Sequence, residues 1–196
     1  MTTASVSDYV RAFIAIETDQ DVKTKLVAMQ AELRRLDIDV KWTAPEVMHL
    51  TLVFLGDIPP EKVTLISQAA DCVTGSMAPF VYDITGLGYF GSPRSPRVIW
   101  ADVRADPVLF ELQGNLAQAI RKLDITLETR PFKPHLTLGR IKSARNGAML
   151  SRKLSALDGF EFGQVRATSV LLIRSILKPH GPEYSVLHES KLSSPS

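Results

Sequence analysis

His49 and His135 stand in identical tetrapeptides, His-Leu-Thr-Leu at residues 49–52 and again at 135–138. The two copies hold two of the 4 histidines and lie nearly half a chain length apart in a chain of 196 residues. Each is approached through proline, Ala44-Pro-Glu-Val-Met48 before the first and Pro131-Phe-Lys-Pro134 before the second. Side chains alternate faces along an extended strand. His49 and Thr51 therefore share one face, and Leu50 and Leu52 the other. The same holds for His135 and Thr137 against Leu136 and Leu138. Two such strands related by a pseudo-two-fold present two imidazoles and two hydroxyls to a common cleft.

That set suits cleavage of a phosphodiester. In-line displacement at phosphorus needs a base at the attacking oxygen and an acid at the leaving oxygen, on opposite sides. Histidine, with an unperturbed pKa of ~6.5, can fill either role near neutral pH. The threonine hydroxyls can donate to the non-bridging oxygens, where negative charge must be held. A single histidine in an apolar strand is ordinarily a packed or capped residue; the duplication is what turns the reading toward catalysis. A zinc site would want a third protein ligand, and no His-x-x-x-His or His-Glu pattern lies nearby. No metal and no cofactor are expected.

The elements around the repeats read as an alternation of strands and helices. Arg11–Glu17 is a short strand, and Asp19 or Asp21 can cap a helix with Val22, Leu26, Met29, Leu33 and Leu36 on one stripe. Leu50 to Leu55 is a strand ended by Gly56-Asp57. Pro59-Pro60-Glu61 starts a helix with Val63, Ile66, Ala69, Ala70 and Val73 on its buried side. Phe80 to Tyr89 and Val98 to Val103 read as strands, with the turn-rich segment 91–97 between them. A helix fits Asp106 to Leu123, a strand Leu136 to Ile141 and a short helix Asn146 to Leu157. The last strands are expected at Gln164 to Leu177 and Tyr184 to Leu192. Hairpin-length links predict an α+β fold with antiparallel sheets. No segment reads as a linker, so residues 1–196 are expected to form a single domain of two intertwined lobes, each carrying one repeat.

Composition agrees with a folded chain and excludes several classes. Hydrophobic residues make up 45%, too many for disorder. The 23 basic and 21 acidic residues leave a net charge of +2, too balanced for a long-range nucleic-acid surface but compatible with a local pocket for one or two phosphates. No apolar run approaches the ~20 residues of a membrane helix. The opening residues lack the basic end and apolar stretch of a signal peptide, which predicts a cytoplasmic protein. Cys72 is the only cysteine, so no internal disulfide forms; it is expected to pack as a small hydrophobe.

On these motifs the sequence resembles the 2H phosphoesterases, a family named for two His-x-Thr motifs, and within them the RNA 2′,3′-cyclic 3′-phosphodiesterase (2′-5′ RNA ligase-like) branch. The resemblance spans nearly the whole chain. It includes Arg11-Ala-Phe-Ile-Ala-Ile, Pro45-Glu-Val-Met-His-Leu-Thr-Leu-Val-Phe-Leu-Gly56, Pro96-Arg-Val-Ile-Trp100, Arg130-Pro-Phe-Lys-Pro-His-Leu-Thr-Leu-Gly-Arg140 and Gly181-Pro-Glu-Tyr-Ser-Val-Leu187. It implies a bilobal α+β fold with the active site between the lobes. It implies metal-free hydrolysis of a 2′,3′-cyclic phosphate at an RNA end or on a nucleotide, giving a 2′-phosphate. In some members a reversible 2′-5′ ligation accompanies it. It suggests His49 as proton donor and His135 as proton acceptor, although the repeats are symmetric and spacing alone does not separate the roles. Val47 departs from the Asn of many relatives, at a position that carries no catalytic group.

Other residues could touch the substrate. Arg140 lies on the wrong face by strand parity unless Gly139 marks a bulge that re-aims it. Arg130 and Phe132 could hold a phosphate and a base, or be solvated and core respectively. Phe13 and Phe54 read as core. Arg94 and Arg97 read as residues of a solvated loop, with contact to an RNA backbone the second reading. His180 and His188 read as surface residues. A nucleotide-binding interaction module, or a cyclic phosphodiesterase acting on a small nucleotide such as an ADP-ribose cyclic phosphate, remain the alternatives. A monomer is expected.

Overall fold

Val10–Glu17 forms the first strand, β1, and its centre is buried throughout, as its unbroken apolar run requires. The computed structural model describes residues 9–104, 106–143, 145–179 and 181–194. The strands that follow are β2 (Val40–Trp42), β3 (His49–Ile58), β4 (Phe80–Ser92), β5 (Ser95–Arg104), β6 (His135–Ile141), β7 (Glu161–Ala167), β8 (Ser169–Lys178) and β9 (Gly181–Lys191). The helices are α1 (Gln20–Arg34), α2 (Lys62–Thr74), α3 (Pro107–Arg121) and α4 (Gly147–Ser155). A 3-10 turn at Pro45–Val47 leads directly into β3.

Two antiparallel sheets result. One runs β3-β1-β8-β9 and the other β2-β6-β5-β4-β7. The expected α+β class with antiparallel sheets is therefore what the chain adopts. The two repeats fall in different sheets, one on β3 and one on β6, and these two strands contact each other. One hydrophobic cluster joins Leu50 and Leu52 of β3 to Leu136 and Leu138 of β6 and to Leu109, Leu112 and Leu116 of α3. The leucines of both repeats thus turn into the core, which leaves the other face to the histidines.

Local chemistry accounts for the helices. Asp106 accepts a hydrogen bond from the Val108 amide at 3.0 Å, and Pro107 occupies the first turn, where its missing N–H costs nothing. Leu109, Leu112, Leu116 and Ile120 then bury one stripe of α3. On α1 the buried stripe includes a polar residue, Gln30, whose Nε2 donates to the carbonyls of Thr43 and Leu138 at 2.8 and 2.9 Å. The helix is thereby fastened to the strand that carries His135.

Several expectations need correction. The segment 164–177 is two strands rather than one. The chain leaves one sheet at Ala167 and joins the other at Ser169, and the apolar pattern runs on across that break. The segment 91–97 is not an open turn: β4 and β5 extend into it and close a tight hairpin, with Gly91 at φ 113 and the Ser95 amide donating to Ser92 Oγ at 3.1 Å. Strand β2 is too short to show a period. Cys72 is exposed; it lies off the buried Ile66–Ala70 stripe of α2. Phe54 is 57% exposed and is not core. No described helix is long and apolar enough to cross a membrane.

Candidate active site

The two repeats have the same geometry. Along β3 exposure alternates from half-buried His49 to buried Leu50, half-buried Thr51 and buried Leu52; along β6 it does so from His135 through Leu138. At the same point in each copy the register then slips. Ala15 pairs with Thr51 and Ile14 with Val53, so Leu52 is an extra residue on β3. Trp100 pairs with Thr137 and Ile99 with Gly139, so Leu138 is an extra residue on β6. Such a bulge reverses the side-chain parity beyond it. Val53 and Gly139 consequently face inward with the leucines, and Phe54 and Arg140 emerge on the face of the histidines. Gly139 is required there because a Cβ would press on Val40 Cγ1 at 2.6 Å.

Each histidine is held by a backbone carbonyl two residues earlier. His135 Nδ1 lies 2.7 Å from the Lys133 carbonyl, and His49 bonds the carbonyl of Val47. A carbonyl only accepts, so the nitrogen it engages carries the proton. For His135 this leaves Nε2 as the nitrogen that exchanges protons. The Val47 contact is made by main chain, so the identity of that side chain does not enter.

The surroundings of the two rings differ. His49 stacks on Phe13 at 4.7 Å and 22° and meets Tyr184 edge-on at 5.3 Å. Phe13, Ala15, Leu171, Ile173 and Tyr184 pack together as an apolar lining on that side. Burial holds the His49 pKa down to about 4, with the Val47 carbonyl opposing and the Lys23 charge adding to the fall. Lys23 is itself buried and paired with Glu17, which stands opposite His49 across the β1–β3 ladder.

His135 meets Phe90 edge-on at 4.9 Å. The Lys133 ammonium lies over Trp100 at 4.5 Å and over Phe90 at 5.4 Å, a cation–π contact beside the His135 ring. Trp100 lies against Gly88, where any Cβ would overlap the indole. Burial lowers the His135 pKa, helped by the charges of Lys133 and Arg140 and opposed by the Lys133 carbonyl and by Asp102, its cross-strand partner. Arg140 also acts on Tyr184, so its charge reaches the lining around both histidines.

The remaining sequence candidates have partners other than the histidines. Arg130 is exposed and bonds Glu128 at 2.8 Å. Phe132 packs on the core and meets Phe110 of α3 at 5.9 Å. His188 is partly exposed with Nε2 2.8 Å from Asp71, and His180 lies outside the described residues. Tyr184, Lys133 and Phe90 were not singled out by the repeats, since nothing in their spacing ties them to a histidine. Among the described residues no group of three or more His, Cys, Asp or Glu side chains is arranged to hold a metal ion.

A pair of equivalent His-x-Thr strands, one from each antiparallel sheet of an α+β fold, is the framework of a two-histidine phosphoesterase. The chain belongs to the LigT like phosphoesterase family, whose model matches residues 16–100 and 103–184. An RNA 2′,3′-cyclic phosphodiesterase of Methanothermobacter thermautotrophicus is 34% identical over 183 residues, 93% of this chain and 99% of that one. One of Archaeoglobus fulgidus is 34% identical over 178 residues, 90% of this chain and 97% of that one. Among solved structures, a Thermus thermophilus protein superposes with a TM-score of 0.80 at 30% identity, covering 95% of this chain and 100% of that one. Escherichia coli LigT complexed with 3′-AMP superposes with a TM-score of 0.75 at 25% identity, covering 95% and 99%.

Proposed function

We propose that this protein is an RNA 2′,3′-cyclic 3′-phosphodiesterase that opens the cyclic phosphate to a 2′-phosphate through acid and base catalysis by its two histidines. The observation that carries the reading is the equivalence of the repeats: two imidazoles, each held through a backbone carbonyl, and two threonines on the faces turned from the core. The relatives with that named activity match this chain over nearly its full length. Water attacks phosphorus while His135 takes its proton. The bond from phosphorus to the 3′ oxygen breaks, and His49 gives that oxygen a proton. The products are a 2′-phosphate and a 3′-hydroxyl, and the two histidines exchange protonation states. Thr51 and Thr137 donate to the non-bridging oxygens, and Arg140 adds its charge to the same phosphate. Phe54 offers an exposed ring to the base. Arg130 and Phe132, committed to Glu128 and Phe110, would need to exchange partners to join them. With a 5′-hydroxyl attacking phosphorus in place of water, the P–O3′ bond breaks in the same way, and the same groups support 2′-5′ ligation.

Both histidines and both threonines come from one chain, which supports action as a monomer of two lobes within a single domain. A single exposed thiol, Cys72, suits a reducing compartment such as the cytoplasm. The test is incubation with 2′,3′-cyclic nucleotides and with RNA ending in a cyclic phosphate, in EDTA, with the phosphate isomer identified by chromatography. A 2′-phosphate formed under chelation is expected. Activity that EDTA abolishes and a divalent metal restores would overturn the metal-free scheme.

A further inference from the structure

Beyond the cyclic-phosphate site, and resting on the reading of that site given above, we propose that a groove beside Arg140 is a second phosphate subsite. It would receive the phosphodiester on the 5′ side of the terminal nucleotide. The enzyme would then be selective for RNA ends over free cyclic nucleotides.

The groove has a volume of about 470 Å³ and is lined by Ser95, Arg97, Val98, Arg140, Lys142 and Ser143, among others, none of them a carboxylate. Its cations are placed by backbone irregularity. Phe90 pairs with Val98 and Gly91 with Pro96, so Arg97 is an extra residue on β5. Pro96 and Ile99 are buried, whereas Arg97 is exposed and Val98 half-buried, which puts Arg97 and Val98 on one side. Val98 is the cross-strand partner of Arg140. The Lys142 amide continues the pairing with β2 by donating to the Asp39 carbonyl at 2.9 Å, and alternation places Lys142 on the side of Arg140. Three cations, Arg97 on β5, Arg140 on β6 and Lys142 just past the end of β6, thus meet at one groove.

None of the three has a carboxylate partner among the described residues, while nearby Arg145 is paired with Asp37 and Arg130 with Glu128. Crowding like charges without a counter-charge is unfavourable, and an anion in the groove relieves it. The arginine forks match phosphate oxygens, and the hydroxyls of Ser95 and Ser143 add neutral donors.

Direction follows from the substrate. A cyclic phosphate closes the 3′ end, so the polymer can leave the histidines only on its 5′ side. Arg140 acts electrostatically on His135 and also borders the groove, so it joins the two. The lining on the His49 side is aromatic and offers the exposed Phe54 ring to a base, whereas the groove at β5 and β6 is cationic and takes backbone.

The experiment compares kcat/KM on a 2′,3′-cyclic mononucleotide with that on a short oligoribonucleotide ending in the same cyclic nucleotide. It uses wild type, Arg97→Gln, Lys142→Gln and the double variant at several salt concentrations. Wild type is expected to favour the oligonucleotide. The double variant is expected to lose about tenfold on it, through KM, and nothing on the mononucleotide. Its log–log salt slope should fall by about one per contact removed. Equal losses on both substrates, no loss on either, or a wild type indifferent to length would overturn the subsite. If wild type opened neither substrate, the hydrolytic reading itself would fail. The subsite would then be read from binding of a labelled oligonucleotide ending in a 2′-phosphate, with weaker binding by the double variant supporting it and equal binding overturning it.

Discussion

Phe54 and Arg140 hold the same place in the two repeats. Each follows its histidine by five residues, and each is swung onto the histidine face by a bulge at the second leucine of its His-Leu-Thr-Leu. The duplication has kept the backbone device and changed the side chain it delivers, an aromatic ring on one strand and a guanidinium on the other. A nucleotide needs both kinds of contact, one for its base and one for its phosphate.

Phe54→Ala is therefore expected to raise KM by about 5- to 150-fold, the equivalent of ~1–3 kcal/mol of base stacking, with kcat little changed. Arg140→Gln is expected to lower kcat as well, by about tenfold or more, because charge grows on the phosphate in the transition state. Steady-state kinetics on one cyclic nucleotide separates the two patterns. An Arg140→Gln variant with wild-type kcat and KM would return that residue to the solvated surface.

His49→Ala and His135→Ala are each expected to lower kcat by ~10²–10⁴-fold with the fold intact by circular dichroism. Thr51→Ala and Thr137→Ala, which each remove one donor, are expected to cost less than loss of a histidine in the same strand. A substrate with a better 3′ leaving group should partly rescue the variant lacking the acid and not the one lacking the base. Rescue of His135→Ala in place of His49→Ala would exchange their roles.

Much of this site was legible in the sequence because period two sorts His49 and Thr51 from Leu50 and Leu52 without any knowledge of neighbours. The stripe of α3 was legible for the same kind of reason: Leu109, Leu112, Leu116 and Ile120 recur at helical spacing. Register was not legible. Phe54 read as core because an unbroken alternation from Leu50 puts it with the leucines, and only pairing with β1 reveals the extra residue. Gly139 gave a hint of the matching bulge on β6, since a glycine in a strand often marks one; Val53 gave none. The switch from β7 to β8 was hidden because only Thr168 separates the strands and no glycine or proline marks the break. Tyr184 reaches His49 only through sheet order, which brings β9 beside β8 and β8 beside β1. Arg130 and Phe132 were drawn in by sequence proximity to His135, yet proximity along the chain says nothing of side-chain partners.

The protonation of the free cleft shapes its pH dependence. Burial lowers both histidines, His49 to about 4. At neutral pH both rings are therefore mainly neutral before substrate arrives, and the donor must acquire its proton. The anionic phosphate favours that by raising the pKa of any imidazole beside it. The profile of kcat/KM reports the free enzyme, so its bell is expected to centre below the ordinary histidine value of ~6.5. The profile of kcat reports the complex and is expected to lie at higher pH. A kcat/KM optimum above pH 7 would show that the rings are not held neutral as the buried cleft requires.

The same burial links stability to pH. The His49 pKa is about 4 in the folded protein, against 6.5 for an unperturbed histidine. Between those values the unfolded chain binds the proton and the folded chain resists it, so stability rises with pH across that window. The contribution is complete above the unfolded value and is lost as pH falls through the folded one. At about 1.4 kcal/mol per pKa unit, the loss attributable to His49 is on the order of 3 kcal/mol. Urea denaturation at pH 7.5 and pH 4.5 measures it. His49→Phe, which keeps a ring against Phe13 and Tyr184 and removes the titrating group, is expected to flatten the difference by most of that amount. An unchanged pH dependence in His49→Phe would mean that other groups carry the acid sensitivity and that His49 is more hydrated in solution than its packing against Phe13 and Tyr184 indicates.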